Sequence, residues 1–254
     1  TEKPTNPFTF TIGGNIISRG ITFNNLLSMF FTRNVKGLMQ QDTYIQRARM
    51  FGNRSDQDMK YFELTIPVDL YNNWHTCFLL HRISYLSAKS NMHPNWATGM
   101  GIKAVAPSSI DKSQVNIEKG EMNFHKIKYD PKMDELINKY TGSNECYKAL
   151  EIMIAKFGNE FLPKHIMFFI KEISGNPIRD IALHNTQNIE NYDKKYADWD
   201  SVSRPRGIFG ARDYDKFPYA RHHFVLVKNK KGFCRLFYNC RHGKISFITT
   251  DREN

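Results

Sequence analysis

Apolar residues recur with two different periods along the chain, and the changes of period mark its elements. Residues 8–12 alternate threonine with aromatic or branched side chains, which predicts a strand. The run LLSMFFT at 26–32 is continuous and apolar, as expected for a strand buried in a parallel sheet. A helix is expected from Asp42 or Thr43, either of which could cap it, to about Phe51. Residues 61–68 read as the next strand, ending near Pro67. Over 69–87, Leu70, Trp74, Phe78, His81 and Tyr85 recur at steps of three and four, the stripe of an amphipathic helix. That order, strand–helix–strand–helix, suits an α/β unit.

From 91 to 130 the pattern breaks at Pro94, Gly99, Gly101 and Pro107, leaving short strands at 102–106 and 115–117. Helical periodicity returns at 131–140, 144–157 and 160–174. Tyr147, Leu150, Ile154 and Phe157 form an apolar stripe that suits a core face or a subunit contact. Residues 185–220 are polar and aromatic and read as a long ordered loop or lid, in which Arg204, Arg206, Gly207, Gly210 and Arg212 would suit a phosphate-contacting turn or simply loop. The C-terminal end reads as strands at 223–227, 233–238 and 244–248 with glycines near each turn, an antiparallel meander. Its aromatic residues, Phe224, Phe233, Phe237 and Tyr238, are expected mostly in the core.

Composition narrows the class. With 41% hydrophobic and 13% aromatic residues in 254, the chain has material for one large or two modest cores and is not a disordered tail. The formal charge is +11, and residues 212–254 hold ten lysines and arginines against four acids. Such a basic end suits DNA, and equally a solubilising face or an acidic protein partner. Cys77, Cys146, Cys234 and Cys240 form no C-x-x-C pair, so they read as reduced, buried thiols of a cytoplasmic protein. No apolar run is long enough to span a membrane, and no metal site is expected. Two nuclease patterns fail. His242-Gly-Lys244 lacks the acid that should follow, position 249 being Thr, and Glu118 and Lys119 are adjacent, so on a strand they would face opposite ways.

Chemistry concentrates near the N-terminus. Residues 13–22, GGNIISRGIT, follow a predicted strand, and glycines there allow backbone N–H groups to face a phosphate. Residues 46–54, QRARMFGNR, place several arginines on and just beyond a helix. Each segment alone is also what a tight turn or a solvated helix face looks like. In this order and at this separation they resemble motifs V and VI in the second RecA-like domain of superfamily-two helicases. More narrowly they resemble the Z-one domain proteins, helicase-like subunits of bacterial ATP-dependent restriction systems, whose pattern runs GGN-x-x-SRG-x-T, then Q-x-G-R-x-F-G-x-R. The chain departs at Ala48, where the pattern has glycine, and at Met50, where it is usually aromatic.

The resemblance implies that Arg49 and Arg54 are arginine fingers reaching the γ-phosphate of ATP held by another domain, with Gln46 as a polar partner. It implies that Gly13, Gly14, Asn15, Ser18, Arg19, Gly20 and Thr22 meet nucleotide or the DNA backbone. The implied fold is α/β plus α+β: residues 1–125 closing a RecA-like motor domain, and 126–254 a helical and antiparallel-β coupling domain. The implied partners are a nuclease subunit and duplex DNA, and the cofactors ATP and Mg²⁺ belong to the complete protein. No G-x-x-x-x-G-K-[ST] loop occurs in the chain. The reading therefore expects a C-terminal piece of a longer polypeptide that does not hydrolyse ATP alone. The alternative is a non-enzymatic protein- or DNA-binding module.

Overall fold

The structure, a computed structural model, describes residues 6–14, 21–32, 39–91, 95–99, 102–103, 116–118, 121–174, 179–191, 208–241 and 246–249. Helices and sheets are mixed, in keeping with an α+β chain. Two compact units emerge, Thr1–Cys77 and Phe78–Asn254, where the sequence suggested a border near 125. The division falls inside one long helix.

In the first unit, strand β1 (Ser28–Phe30) is followed by the short strand β2 (Met39–Gln40), helix α1 (Gln41–Ala48) and a 3₁₀ turn over Arg49–Phe51. Helix α2 (Asp56–Met59) is capped by Ser55, whose Oγ accepts from the Asp58 N–H at 3.2 Å. Strand β3 (Glu63–Thr65) pairs parallel with β1 in the register Ser28 to Glu63. The expected parallel pairing is present, but burial is not: Phe30 is 71% exposed and Leu27 and Leu64 are also exposed. Residues 8–12 form no strand, and Phe10 and Ile12 are 92% and 98% exposed. Among the described residues no further strand joins this parallel pair, so several of its apolar side chains remain in water.

Helix α3 (Val68–Lys89) is longer than its sequence stripe suggested. Its buried line is Leu70, Trp74, Cys77, Leu80, Ile83, Ser84 and Ser87. Phe78 and Tyr85, expected on that face, are exposed and flank the Arg82 guanidinium at 5.7 and 5.1 Å. The buried serines return their hydroxyls to carbonyls three residues back, His81 and Ser84, both at 2.9 Å. A polar side chain satisfied by its own helix can enter a core at little cost.

The second unit contains two sheets. Strands β4 (Asn95–Thr98), β5 (Ile102–Lys103), β6 (Asn116–Glu118), β7 (Glu121–Asn123) and β8 (Ile127–Lys128) come first. Then follow α4 (Lys132–Tyr140), α5 (Cys146–Phe157) and α6 (Lys164–Ser174), close to expectation. Strand β9 (Ile181–Asn188) precedes α7 (Ala211–Lys216), β10 (His222–Lys228), β11 (Phe233–Cys240) and β12 (Ser246–Thr249). The main sheet runs β7-β11-β10-β9, with β8 also on β11. Strands β10 and β11 are antiparallel as predicted, but β9 joins β10 in parallel.

Two expectations are overturned here. The third C-terminal strand does not continue the meander, because β12 lies between β4 and β6 in a separate antiparallel sheet. The stretch expected as a loop begins inside β9 and contains α7; residues 192–207, with Arg204, Arg206 and Gly207, lie outside the described residues. Ile181 to His184 are buried in succession, so β9 shows no alternation to read. Phe224, Phe237 and Tyr238 are core residues as expected, and all four cysteines are free and buried. Burial raises the thiol pKa values of Cys77 and Cys234 to about 12, so they are inert packing residues.

Candidate functional site

Helix α1 tightens into its 3₁₀ turn and stops at Gly52, whose φ of 67° is the left-handed conformation that favours glycine. A side chain there would also crowd the preceding motif, since a Cβ would stand 3.4 Å from Thr22 Cγ2 and from Asn24 Oδ1. The two segments are stitched at the backbone, Phe23 N–H donating to the Met50 carbonyl at 2.9 Å. Met50, in the position usually aromatic, is buried. The turn therefore carries motif VI directly against the end of motif V.

Arg54 completes the junction. Its Nε donates to the Phe51 carbonyl at 2.8 Å, one terminal nitrogen to Phe23 O at 3.1 Å, and the other to Leu26 O. The guanidinium lies over the Phe62 ring, 5.1 Å from its centroid. Arg49 behaves differently. Its side chain is exposed and makes no hydrogen bond or ion pair among the described residues. Gln46 is exposed one turn earlier on the same face. Thr22 is exposed beside Gly52, while Gly13 and Gly14 are exposed with no close neighbour at Gly14. Asn15, Ser18, Arg19 and Gly20 lie outside the described residues. The structure thus joins Thr22 to the 49–54 turn and leaves Gly13 and Gly14 apart from any described contact.

Behind the junction lies a cleft of about 360 Å³, lined by Tyr44, Phe51, Gly52, Arg54, Phe62 and Trp74 among others. Its rings meet edge to face: Tyr44 on Trp74 at 6.0 Å and Phe51 on Phe62 at 5.5 Å. Desolvation and then the neighbouring Cys77 raise the Tyr44 pKa, so its hydroxyl stays protonated. Sequence reading used Gly52 only as a motif letter. Its place just past a helix end was the available signal for a left-handed stop.

The second unit holds buried polar groups that sequence reading missed. Glu121 accepts from the backbone N–H of Ile208 and Phe209 at 2.7 and 2.8 Å, tying the start of the α7 segment to β7. His223 Nε2 donates to the Ala220 carbonyl at 3.0 Å, which leaves its Nδ1 to accept from His184 Nε2, also at 3.0 Å. Burial lowers both histidine pKa values to about 4. Asp134 accepts from Tyr129, Thr186 and Lys228, the lysine at 3.0 Å. These clusters are internally paired and hold strands and helices in place.

Thr22 and the 49–54 turn thus stand together at the end of α1, in a unit whose β1–β3 pair keeps exposed apolar side chains. Residues 2–82 match the family model of the Z1 domain, a match that spans both motifs and reaches into α3. No curated protein and no solved structure matches the chain. Among the described residues, no helix is long and apolar enough to cross a membrane.

Proposed function

We propose that the chain is part of an ATP-dependent, helicase-like DNA translocase subunit of a bacterial restriction system, in which Arg49 is the arginine finger. What carries the reading is the junction itself: two motif segments, distant in sequence, meet at Gly52 and leave one arginine unengaged beside them. An arginine finger must be free to meet a ligand held elsewhere, and its planar, permanently charged fork suits the charge on a transferring phosphoryl group. The chain has no phosphate-binding loop of its own, so ATP and Mg²⁺ would be gripped by another domain of the complete subunit. Thr22, Gln46, Gly13 and Gly14 would line the near side of the nucleotide or the DNA backbone.

The surface of the first unit supports this. Of sixteen large apolar side chains exposed among the described residues, eleven lie in Thr1–Cys77. Parallel strands are normally covered on both faces, so an uncovered β1–β3 pair suits an α/β layer completed by further strands. The test is Arg49→Ala in the complete subunit. ATP turnover is expected to fall by about 10³ or more with the melting temperature unchanged; near-normal turnover removes the assignment.

A second reading, a non-enzymatic module binding DNA or a nuclease subunit through its basic end, has less behind it. Lys216, Arg221, Lys228 and Lys230 are paired with Asp213, Asp180, Asp134 and Glu190, and Arg235 bonds Asn123 at 3.1 Å. Arg241 lies over the Tyr214 ring at 4.4 Å. Several of the described C-terminal cations thus have an acidic, amide or aromatic partner within the chain.

A further inference from the structure

We infer that Arg54 is a positioning residue: it clasps residues 23–26 to the end of the motif-VI helix and so sets where Thr22 and Arg49 stand, without meeting the phosphate itself. The inference deepens the Arg49 reading above and rests on it. Motif logic treats the two arginines as equivalent, and the geometry separates them. Arg54 spends three N–H groups on the carbonyls of Phe23, Leu26 and Phe51 and rests one face on Phe62. Swinging out toward a nucleotide would take it off these carbonyls and leave that half-buried backbone without donors. Arg49 would abandon nothing among the described residues.

The clasp has a defined reach. Phe23 receives Arg54 at its carbonyl and gives its own N–H to Met50, the residue after Arg49. Thr22 precedes Phe23 and abuts the Cβ position of Gly52. A loss at Arg54 therefore releases the 22–26 segment and the 49–52 turn together. Only a planar fork with donors on separate nitrogens reaches three divergent carbonyls; a lysine ammonium at the end of its stem does not.

Two measurements test this. In the 254-residue chain, Arg54→Lys should speed amide exchange at Phe23 at least about tenfold, with far-UV circular dichroism retained, while Arg49→Ala leaves Phe23 unchanged. Gly52→Ala repeats the test with Arg54 present, since a Cβ at that φ strains the same junction, and Phe23 should again open. In the complete subunit, Arg54→Lys should lower kcat about tenfold or more with KM for ATP nearly constant, after correction for the folded fraction. Unchanged exchange at Phe23 in both variants overturns the clasp. Faster exchange with normal kcat in Arg54→Lys, while Arg49→Ala is inactive, overturns the positioning role. Faster exchange in Arg54→Lys alone, with normal kcat in both arginine variants, leaves the clasp standing and removes the Arg49 reading instead.

Discussion

Arg49 and Arg54 show how far identity and surroundings separate at the scale of one residue. Both were visible as guanidinium groups at motif spacing. Only contacts distinguish the exposed one from the one bonded to three carbonyls, because carbonyl direction depends on a fold linking residues 23–26 to 54. The buried histidines are a second case, since nothing in HHFVLVK marks them as internal. His165, His184 and His223 all have pKa values lowered to about 4, chiefly by burial, against 6.5 unfolded. In that window the unfolded chain binds more protons, so stability must rise with pH from about 4 to 6.5 and fall on acidification. Each shift corresponds to on the order of 3 kcal/mol at the acid end, with the hydrogen-bonded pair acting as one unit. Urea denaturation at pH 4.5 and 7 should show this loss, and His165→Phe should flatten the slope. A pH-independent midpoint would mean that these rings are not buried neutral.

Element existence was largely legible, and element facing was not. Helices α4, α5 and α6 fall close to their periodic segments because three- and four-residue recurrence over ten residues has few alternative meanings. On α3 the aromatic positions 78 and 85 fitted the stripe as well as 77, 80 and 84 did. The neighbours decided, burying the smaller side chains and leaving the rings around Arg82. Trp74 is the anchor of that helix in the first unit, contacting Phe31, Tyr44 and Phe51. Trp74→Ala should therefore lose about 3–5 kcal/mol, read as a lowered denaturation midpoint. Phe30→Ser, on the exposed β1, should change the stability of the 254-residue chain by less than about 0.5 kcal/mol. If further strands complete the sheet, the same change should lose about 1–3 kcal/mol in the complete subunit. Equal, small effects in both would mean that β1 stays uncovered.

For the whole molecule, net charge alone does not say which cations are open to a polyanion. Among the described residues several C-terminal cations carry ion pairs, and another cationic surface lies between α4 and α5. There Lys132, Lys139 and Lys156 border a cleft of about 450 Å³ together with Glu135. If the subunit's DNA path crosses it, Lys139→Glu with Lys156→Glu should reduce the salt dependence of duplex binding by roughly 2 in log–log slope; an unchanged slope excludes that face. By itself the sequence determined what is local: most helices and several strands from periodicity, and the paired motifs that fall within the Z1 domain match. Only tertiary structure decided what depends on distant partners. It put β12 with β4 and β6, buried the first half of β9 on both faces, and turned Arg54 inward while Arg49 made no hydrogen bond or ion pair among the described residues. The physical reason is that periodicity records which residues prefer to leave water, whereas strand order and hydrogen-bond direction are set by whichever surfaces meet.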